Sequence, residues 1–278
     1  MRPPFPYFGG KMSVADRIAE LLPPHRHYVE PFAGSLSVML AKSPVPFETA
    51  NDLHGELMTF WRVLRTRPVD LAASCALTPH SRAEYAAAAE LDCGDDLETA
   101  RRVWVRLTQS RSGVLRKTGW RHYIDPGGSS ASMPDYLAGY VGRFAAAAER
   151  LHTVSLECRP ALEAIGAYGR TPEVCLYVDP PYLGSTRNGT NYLHEMPSVA
   201  DHEQLLEALL RARAAVVLSG YASELYDTAL TGWTRIEIPT FNGNANSGPR
   251  TEIVWCNRQT GHPTLDFEGT ETEKGMRL

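Results

Sequence analysis

What most limits the fold of this chain is a recurring pattern: a short apolar run, an acid-bearing turn, then a helical stretch. Val174-Cys175-Leu176-Tyr177-Val178 is continuously apolar and stops at Asp179-Pro180-Pro181-Tyr182. An unbroken run of that kind suits a central parallel strand covered on both faces. His27 to Glu30 reads as a strand leading into Pro31-Phe32-Ala33-Gly34, and Phe47 to Ala50 as another ending at Asn51-Asp52. Further strands are expected over 154–157, 214–218, 233–239 and 252–257. Helical spacing marks residues 12–22, stopped by Pro23-Pro24, and also 35–42, 55–65 and 202–213. Strand, turn and helix in repetition predict an α/β fold. In open parallel sheets, ligands sit at the carboxyl ends of the strands. Three acid-bearing turns fall there: EPFAG, ND and DPPY.

Between Pro79 and about Gly139 the pattern changes to Ala-rich helices and a turn-rich stretch. Residues 101–122 hold seven Arg or Lys and no Asp or Glu, with Trp104 and Trp120 interleaved and Tyr123 next. A Gly/Ser-rich loop, DPGGSSASMP, follows. The α/β pattern resumes near residue 150. The expected organisation is one discontinuous α/β domain, 1–78 and 150–260, an insert over 79–149, and a polar tail over 261–278.

Composition excludes several classes. Of the 278 residues, 43% are hydrophobic and 22% charged, which is ordinary for a globular protein. The net charge is −4, so any nucleic-acid surface must be local. Five cysteines, with no Cys-x-x-Cys pair, argue against a disulfide framework or a structural zinc. Nine histidines lack ligand spacing, and no metal is expected. No signal-peptide core and no membrane-length apolar run are present, so a cytoplasmic protein is expected.

The chemistry is concentrated in Asp179-Pro180-Pro181-Tyr182. An exocyclic amine such as adenine N6 is a poor nucleophile because its lone pair is delocalised into the ring. A carboxylate and a fixed backbone carbonyl can accept its two hydrogens and favour the pyramidal, reactive nitrogen. Proline stiffens the loop. Tyr182 offers a ring for an extruded base, and the carboxylate stabilises charge developing on nitrogen. Gly34 lets a ligand approach the backbone of the strand-to-helix turn, with Glu30 available to its positive end or hydroxyls. Asp52 either binds ribose hydroxyls or caps the following helix. Gly9-Gly10-Lys11 invites a phosphate reading, but the full G-x-x-x-x-G-K-[ST] loop is absent. Lys11 then contacts a carboxylate or phosphate, or simply precedes a helix. Ser219-Gly220-Tyr221 reads first as a strand-end turn and second as a border of the cofactor or base.

In residues and in order these elements resemble the Dam-type N6-adenine DNA methyltransferases, the D12 class or alpha group. The counterparts are Phe5 to Lys11, Val29 to Gly34, Asp52, a recognition insert over roughly 79–150, and Asp179 to Tyr182. The likeness is nearest to the phage and actinobacterial branch. The resemblance implies a Rossmann-like S-adenosylmethionine-dependent methyltransferase sheet with a mainly helical target-recognition insert. It implies site-specific methylation of adenine N6 in double-stranded DNA by base flipping, with S-adenosylmethionine as cofactor. Tyr7, Lys11, Glu30, Phe32, Gly34, Asp52 and Asp179 would bind that cofactor. Asp179, Pro180, Pro181 and Tyr182 would be catalytic. Leu36 stands where many members of the class have a second glycine.

Phosphate neutralisation and bidentate base contacts suggest Arg111, Arg116, Lys117 and Arg121 for DNA, with Trp120 as a wedge or stacking residue. Arg187 lies in the 183–194 loop, which also carries Asn188 and Tyr192 and would close over the base. The other reading of the basic run is a solvated helix face. Alternatives for the whole chain are a cytosine-N4 methyltransferase, which more often has Ser at the first loop position, an RNA-amine methyltransferase, or a non-catalytic DNA-binding module. The recognition word, the oligomeric state and any cognate restriction endonuclease have no signature in one chain.

Overall fold

In the computed structural model, residues 1–116, 118–122, 132–182, 196, 198–240 and 250–258 are described. Seven strands form one sheet in the order β3-β2-β1-β4-β5-β7-β6. They are β1 (His27–Glu30), β2 (Phe47–Asn51), β3 (Val154–Glu157), β4 (Val174–Val178), β5 (Ala215–Gly220), β6 (Thr234–Thr240) and β7 (Arg250–Cys256). The first five pair in parallel, and β7 runs antiparallel between β5 and β6. The chain winds outward in both directions from β1 and β4, so the sheet has its switch point between them.

The sheet alternates as a two-faced core requires. On β4, Cys175 and Tyr177 join one apolar cluster, while Val174, Leu176 and Val178 join the other. The first cluster is covered by α3 (Gly55–Thr66), α4 (Pro68–Ala76), α6 (Asp96–Gln109) and α8 (Phe144–Leu151). Phe5, Phe60, Trp61, Trp104 and Phe144 interlock there by tilted and edge-on ring contacts. The second cluster is covered by α9 (Ala161–Tyr168), α10 (Val199–Leu210) and α11 (Glu224–Ala229). The remaining helices are α1 (Ala15–Glu20), α2 (Ser37–Ala41), α5 (Arg82–Ala87) and α7 (Met133–Val141). Val103, Trp104 and Phe144 share one cluster with Tyr28 and Ala50. The helical stretch and the sheet are therefore packed on a common core.

Several element limits differ from the sequence expectation for local reasons. The helix expected over 35–42 begins only at Ser37, because Leu36 adopts a left-handed conformation (φ 53°) and belongs to the turn. The helix expected over 12–22 is confined to Ala15–Glu20. The one expected from 202 begins at Val199, where Ser198 and Asp201 form a reciprocal capping box. The helices α4, α8, α9 and α11 lie outside the stretches expected to be helical. Among the described residues, no helix is long and apolar enough to cross a membrane.

Candidate active site

The carboxyl ends of β1, β2 and β4 open into one cavity of about 240 Å³. Tyr7, Lys11, Glu30, Phe32, Gly34, Asp52 and Asp179 all line it, as do Pro181 and the apolar Val38, Pro160 and Leu162. Three acids that are distant in sequence thus meet at one opening. The parallel register brings them there, since Val29 is aligned with both Thr49 and Leu176.

Each acid is held differently. Glu30 is almost fully buried, and its Oε1 accepts hydrogen bonds from the Tyr28 hydroxyl and the Met39 backbone N–H, both at 2.8 Å. Burial pushes its carboxyl up to about 8, against the opposing pull of those two bonds. Asp52 receives the Gly34 N–H at 2.9 Å on one oxygen and the His54 N–H at 3.0 Å on the other. His54, not Asp52, is the residue that caps α3. The Asp52 carboxylate instead ties the β1 turn to the β2 turn. Trp61 completes the tie by donating its indole N–H to the Gly34 carbonyl at 3.0 Å.

Gly34 is required on two counts. Its φ of +48° is strained for any side chain, and a Cβ there would lie 3.0 Å from the Tyr7 ring. Tyr7 sits in the bend before Lys11, closed by the Gly10 N–H donating to the Tyr7 carbonyl at 2.9 Å. That bend is docked on the basic segment: the Phe8 N–H donates to the Gly113 carbonyl at 2.9 Å. Gly113 has φ +62°, and a Cβ on it would come within 3.1 Å of the Pro6 carbonyl.

Lys11 delivers its charge into the acidic end of the cavity. Its ammonium donates to both Asp179 oxygens at 2.7 and 2.8 Å and to the Gly9 carbonyl at 2.9 Å. It also stands 4.8 Å from the centre of the Tyr182 ring. Ser219 donates to Asp179 at 3.2 Å and bonds the Tyr177 hydroxyl at 3.0 Å. Ser219 and Gly220 end β5, as the strand-end reading expects, and Ser219 is in addition bonded to an acid of the cavity. Pro180 and Tyr182 face a smaller recess with Gly220 and Tyr221. The Tyr182 ring is largely buried, 4.4 Å from Tyr221 centre to centre, and burial raises its phenol well above the usual range.

Sequence reasoning missed Glu252. This acid lies in β7 and is 5% exposed. It accepts the Tyr182 hydroxyl at 2.7 Å and stands 3.6 Å from the Lys11 ammonium. Burial raises its carboxyl, with the Asp179 charge adding, while Lys11 and the Tyr182 hydroxyl oppose. The available signal was one acid in the otherwise apolar run Ile253-Val254-Trp255-Cys256.

The basic run divides. Arg101 is paired with Glu98 and Glu84, and Arg102 with Glu98. Arg106 is buried, with its guanidinium over the Tyr85 ring at 4.3 Å. Those three cations are used within the fold. Beyond α6 the chain turns back in a short antiparallel pairing, with Ser110 opposite Trp120. Arg111 is exposed on that pairing, Arg116 is half-buried, and Arg121 lies 4.7 Å over the Tyr136 ring. Trp120 stacks on His80 at 4.4 Å and on His122 at 5.2 Å, with Arg82 4.8 Å from its ring centre. Lys117, Tyr123, Arg187, Asn188, Tyr192 and the tail over 261–278 lie outside the described residues. Among the described residues, no group of His, Cys, Asp and Glu could hold a metal ion.

Residues 7–128 match the family model described as D12 class N6 adenine-specific DNA methyltransferase. The matched stretch carries Tyr7 through Asp52 and the basic segment, and the Asp179 loop lies beyond it. Two curated relatives, both named DNA adenine methylase and from two Vibrio cholerae serotype O1 strains, are each 26% identical over 194 residues. That alignment covers 66% of this chain and 67% of each relative. Among solved structures, a precorrin 8W decarboxylase from Methanobacterium thermoautotrophicum gives a TM-score of 0.38 at 11% identity, covering 92% of this chain and 98% of that one. An rRNA methyltransferase from Streptomyces viridochromogenes gives 0.37 at 15%, covering 92% and 88%. Both are too distant to bear on function.

Proposed function

We propose that this chain, which belongs to the D12 class of N6 adenine-specific DNA methyltransferases, transfers a methyl group from S-adenosylmethionine to adenine N6 through the cavity bounded by Glu30, Asp52 and Asp179. The observation that carries the proposal is the meeting of those acids with Lys11 and Gly34 in one opening at the switch point of the sheet.

The donor set suits the cofactor. Carboxylates at Asp52 and Asp179, the Glu30 carboxyl, one ammonium at Lys11 and apolar walls at Phe32, Val38 and Leu162 match a ligand with a zwitterionic end, sugar hydroxyls and a flat base. Tyr7, Lys11, Glu30, Phe32, Gly34, Asp52 and Asp179 would hold it. When bound, S-adenosylmethionine supplies a methyl group activated on a positive sulfur. The chain's own share is placement and electrostatics. Asp179 accepts a hydrogen of the target amine and stabilises the charge that grows on its nitrogen. Pro180 and Pro181 hold that carboxylate at the strand tip. Tyr182, anchored through Glu252, fixes the loop from behind.

A base inside a duplex cannot reach this cavity without leaving its stack. We assign the gripping of DNA to the insert over 79–149, through Arg111, Arg116, Trp120 and Arg121, with Lys117 and Arg187, which lie outside the described residues, as further candidates from the sequence. Double-stranded DNA is the substrate in this reading, and the cytoplasm the place of action.

Asp179→Ala is expected to abolish incorporation of tritiated methyl groups into DNA while leaving the thermal melt close to that of the parent. Near-normal incorporation would remove Asp179 from the chemistry. Sequencing that detects N6-methyladenine, run on host DNA expressing the chain, reads reaction and target word together.

A further inference from the structure

Glu252 poses a physical problem that Tyr182 alone does not explain. An acid buried on a sheet strand is disfavoured unless its charge is used. A glutamine there would accept the Tyr182 hydroxyl equally well without bringing a charge into the core. What the carboxylate adds is a negative partner for the Lys11 ammonium, which stands 3.6 Å away.

Lys11 meanwhile engages both oxygens of Asp179, and Ser219 takes one of them as well. In that arrangement the charge of Asp179 is largely neutralised. For the carboxylate to act on an incoming amine, the ammonium has to release it. A buried ammonium released from its partner is strongly disfavoured unless another anion receives it. Glu252 is placed to be that anion. The titratable side chains facing it come from three parts of the chain: Lys11 from the N-terminal bend, Tyr177 from β4, and Asp179 and Tyr182 from the loop after β4. Its backbone is fixed by pairing to Ile238 in β6, and the next residue, Ile253, pairs with Gly220 at the end of β5.

We propose that Glu252 is a positioning residue of the methyl-transfer site: it anchors Tyr182 by the hydroxyl and offers Lys11 a second anionic partner, so that the ammonium can swing from Asp179 to Glu252 and unmask the Asp179 oxygens. This rests on the methyltransferase reading above. No covalent bond is made or broken in the swing, and no proton leaves the Lys11–Asp179–Glu252 group.

The test is a double-mutant cycle of Glu252→Gln with Lys11→Met, read in two ways. In single-turnover methyl transfer at saturating cofactor, Glu252→Gln is expected to slow the step by about tenfold or more, with the Kd for S-adenosylmethionine changed by less than about threefold. In the ligand-free protein, Glu252→Gln is expected to lower Tm in the parent background and to raise or leave it unchanged in the Lys11→Met background, because the ammonium that needs the carboxylate is gone. A single-turnover rate within about twofold of the parent would overturn the proposal. So would an equal Tm shift in both backgrounds. If Glu252→Gln alone is too unstable to assay, a double variant no more stable than that single variant overturns it as well. The melting arm needs no substrate. A parent protein inert on DNA therefore sinks the methyltransferase reading, while the melting arm still judges the Lys11–Glu252 coupling.

Discussion

Replacing Glu30 by glutamine gives a quantitative check on how the cavity is built. Glu30 is 1% exposed, and its carboxyl is pushed up from 4.5 to about 8. Below pH 4.5 the folded and unfolded chains both carry the proton, and the residue contributes no pH dependence. Between 4.5 and 8 the unfolded chain has lost a proton that the folded chain keeps, so stability falls as pH rises. Above 8 both forms are ionised and the loss levels off. Each pH unit inside the window is worth about 1.4 kcal/mol, so the whole window amounts to at most about 5 kcal/mol. Glutamine keeps an oxygen for the Tyr28 hydroxyl and the Met39 N–H and brings no charge to bury. Glu30→Gln should match the parent near pH 5 and exceed it by several kcal/mol, about 2 to 5, at pH 8. Urea unfolding of both proteins from pH 5 to pH 9 measures the difference directly. Two stability curves that stay parallel across that range would refute the reasoning.

Two further outcomes follow from the turn and from the basic run. Leu36→Gly relieves a left-handed residue, worth about 1 kcal/mol, but deletes a fully buried side chain, worth about 2 to 5 kcal/mol. The variant should be less stable in urea, and a more stable one would show that backbone strain outweighs packing there. Arg116→Ala and Arg121→Ala should each flatten the salt dependence of DNA binding by about one unit. Arg101→Ala should leave that slope unchanged, since Glu98 and Glu84 already hold its guanidinium. Equal slopes for all three variants would take the pairing out of the interface.

The fold was largely legible because its strands are short, apolar and punctuated. Val174 to Val178 could be read as a central strand from its composition, and the structure gives it the same limits. The seven proposed cofactor residues likewise share one cavity, because parallel register carries the ends of successive strands to one edge. What stayed hidden depends on neighbours rather than on pattern. The conformation of Leu36 arises from a turn tied across two strands by Asp52. Glu252 looks like one polar residue in a strand until the β5–β7–β6 pairing sets it beneath Tyr182. The run over 101–122 has no acid of its own, yet Glu84 and Glu98, which precede it, neutralise part of it. A one-dimensional charge count could not assign those partners.

The bond from Phe8 to Gly113 has a practical bearing on changing the target word. Anyone transplanting the 110–121 segment from another protein would be replacing a support of the Tyr7–Lys11 bend, which lines the pocket, along with the proposed DNA grip. Its seat on Pro6 admits no side chain at position 113, and its carbonyl there holds the bend that aims Tyr7 and Lys11. Grafts that keep this glycine, its backbone path and the buried Ser110, Val114 and Leu115 leave the exposed positions open to change. Grafts that lose it should lose affinity for the methyl donor before any change of sequence preference can be observed.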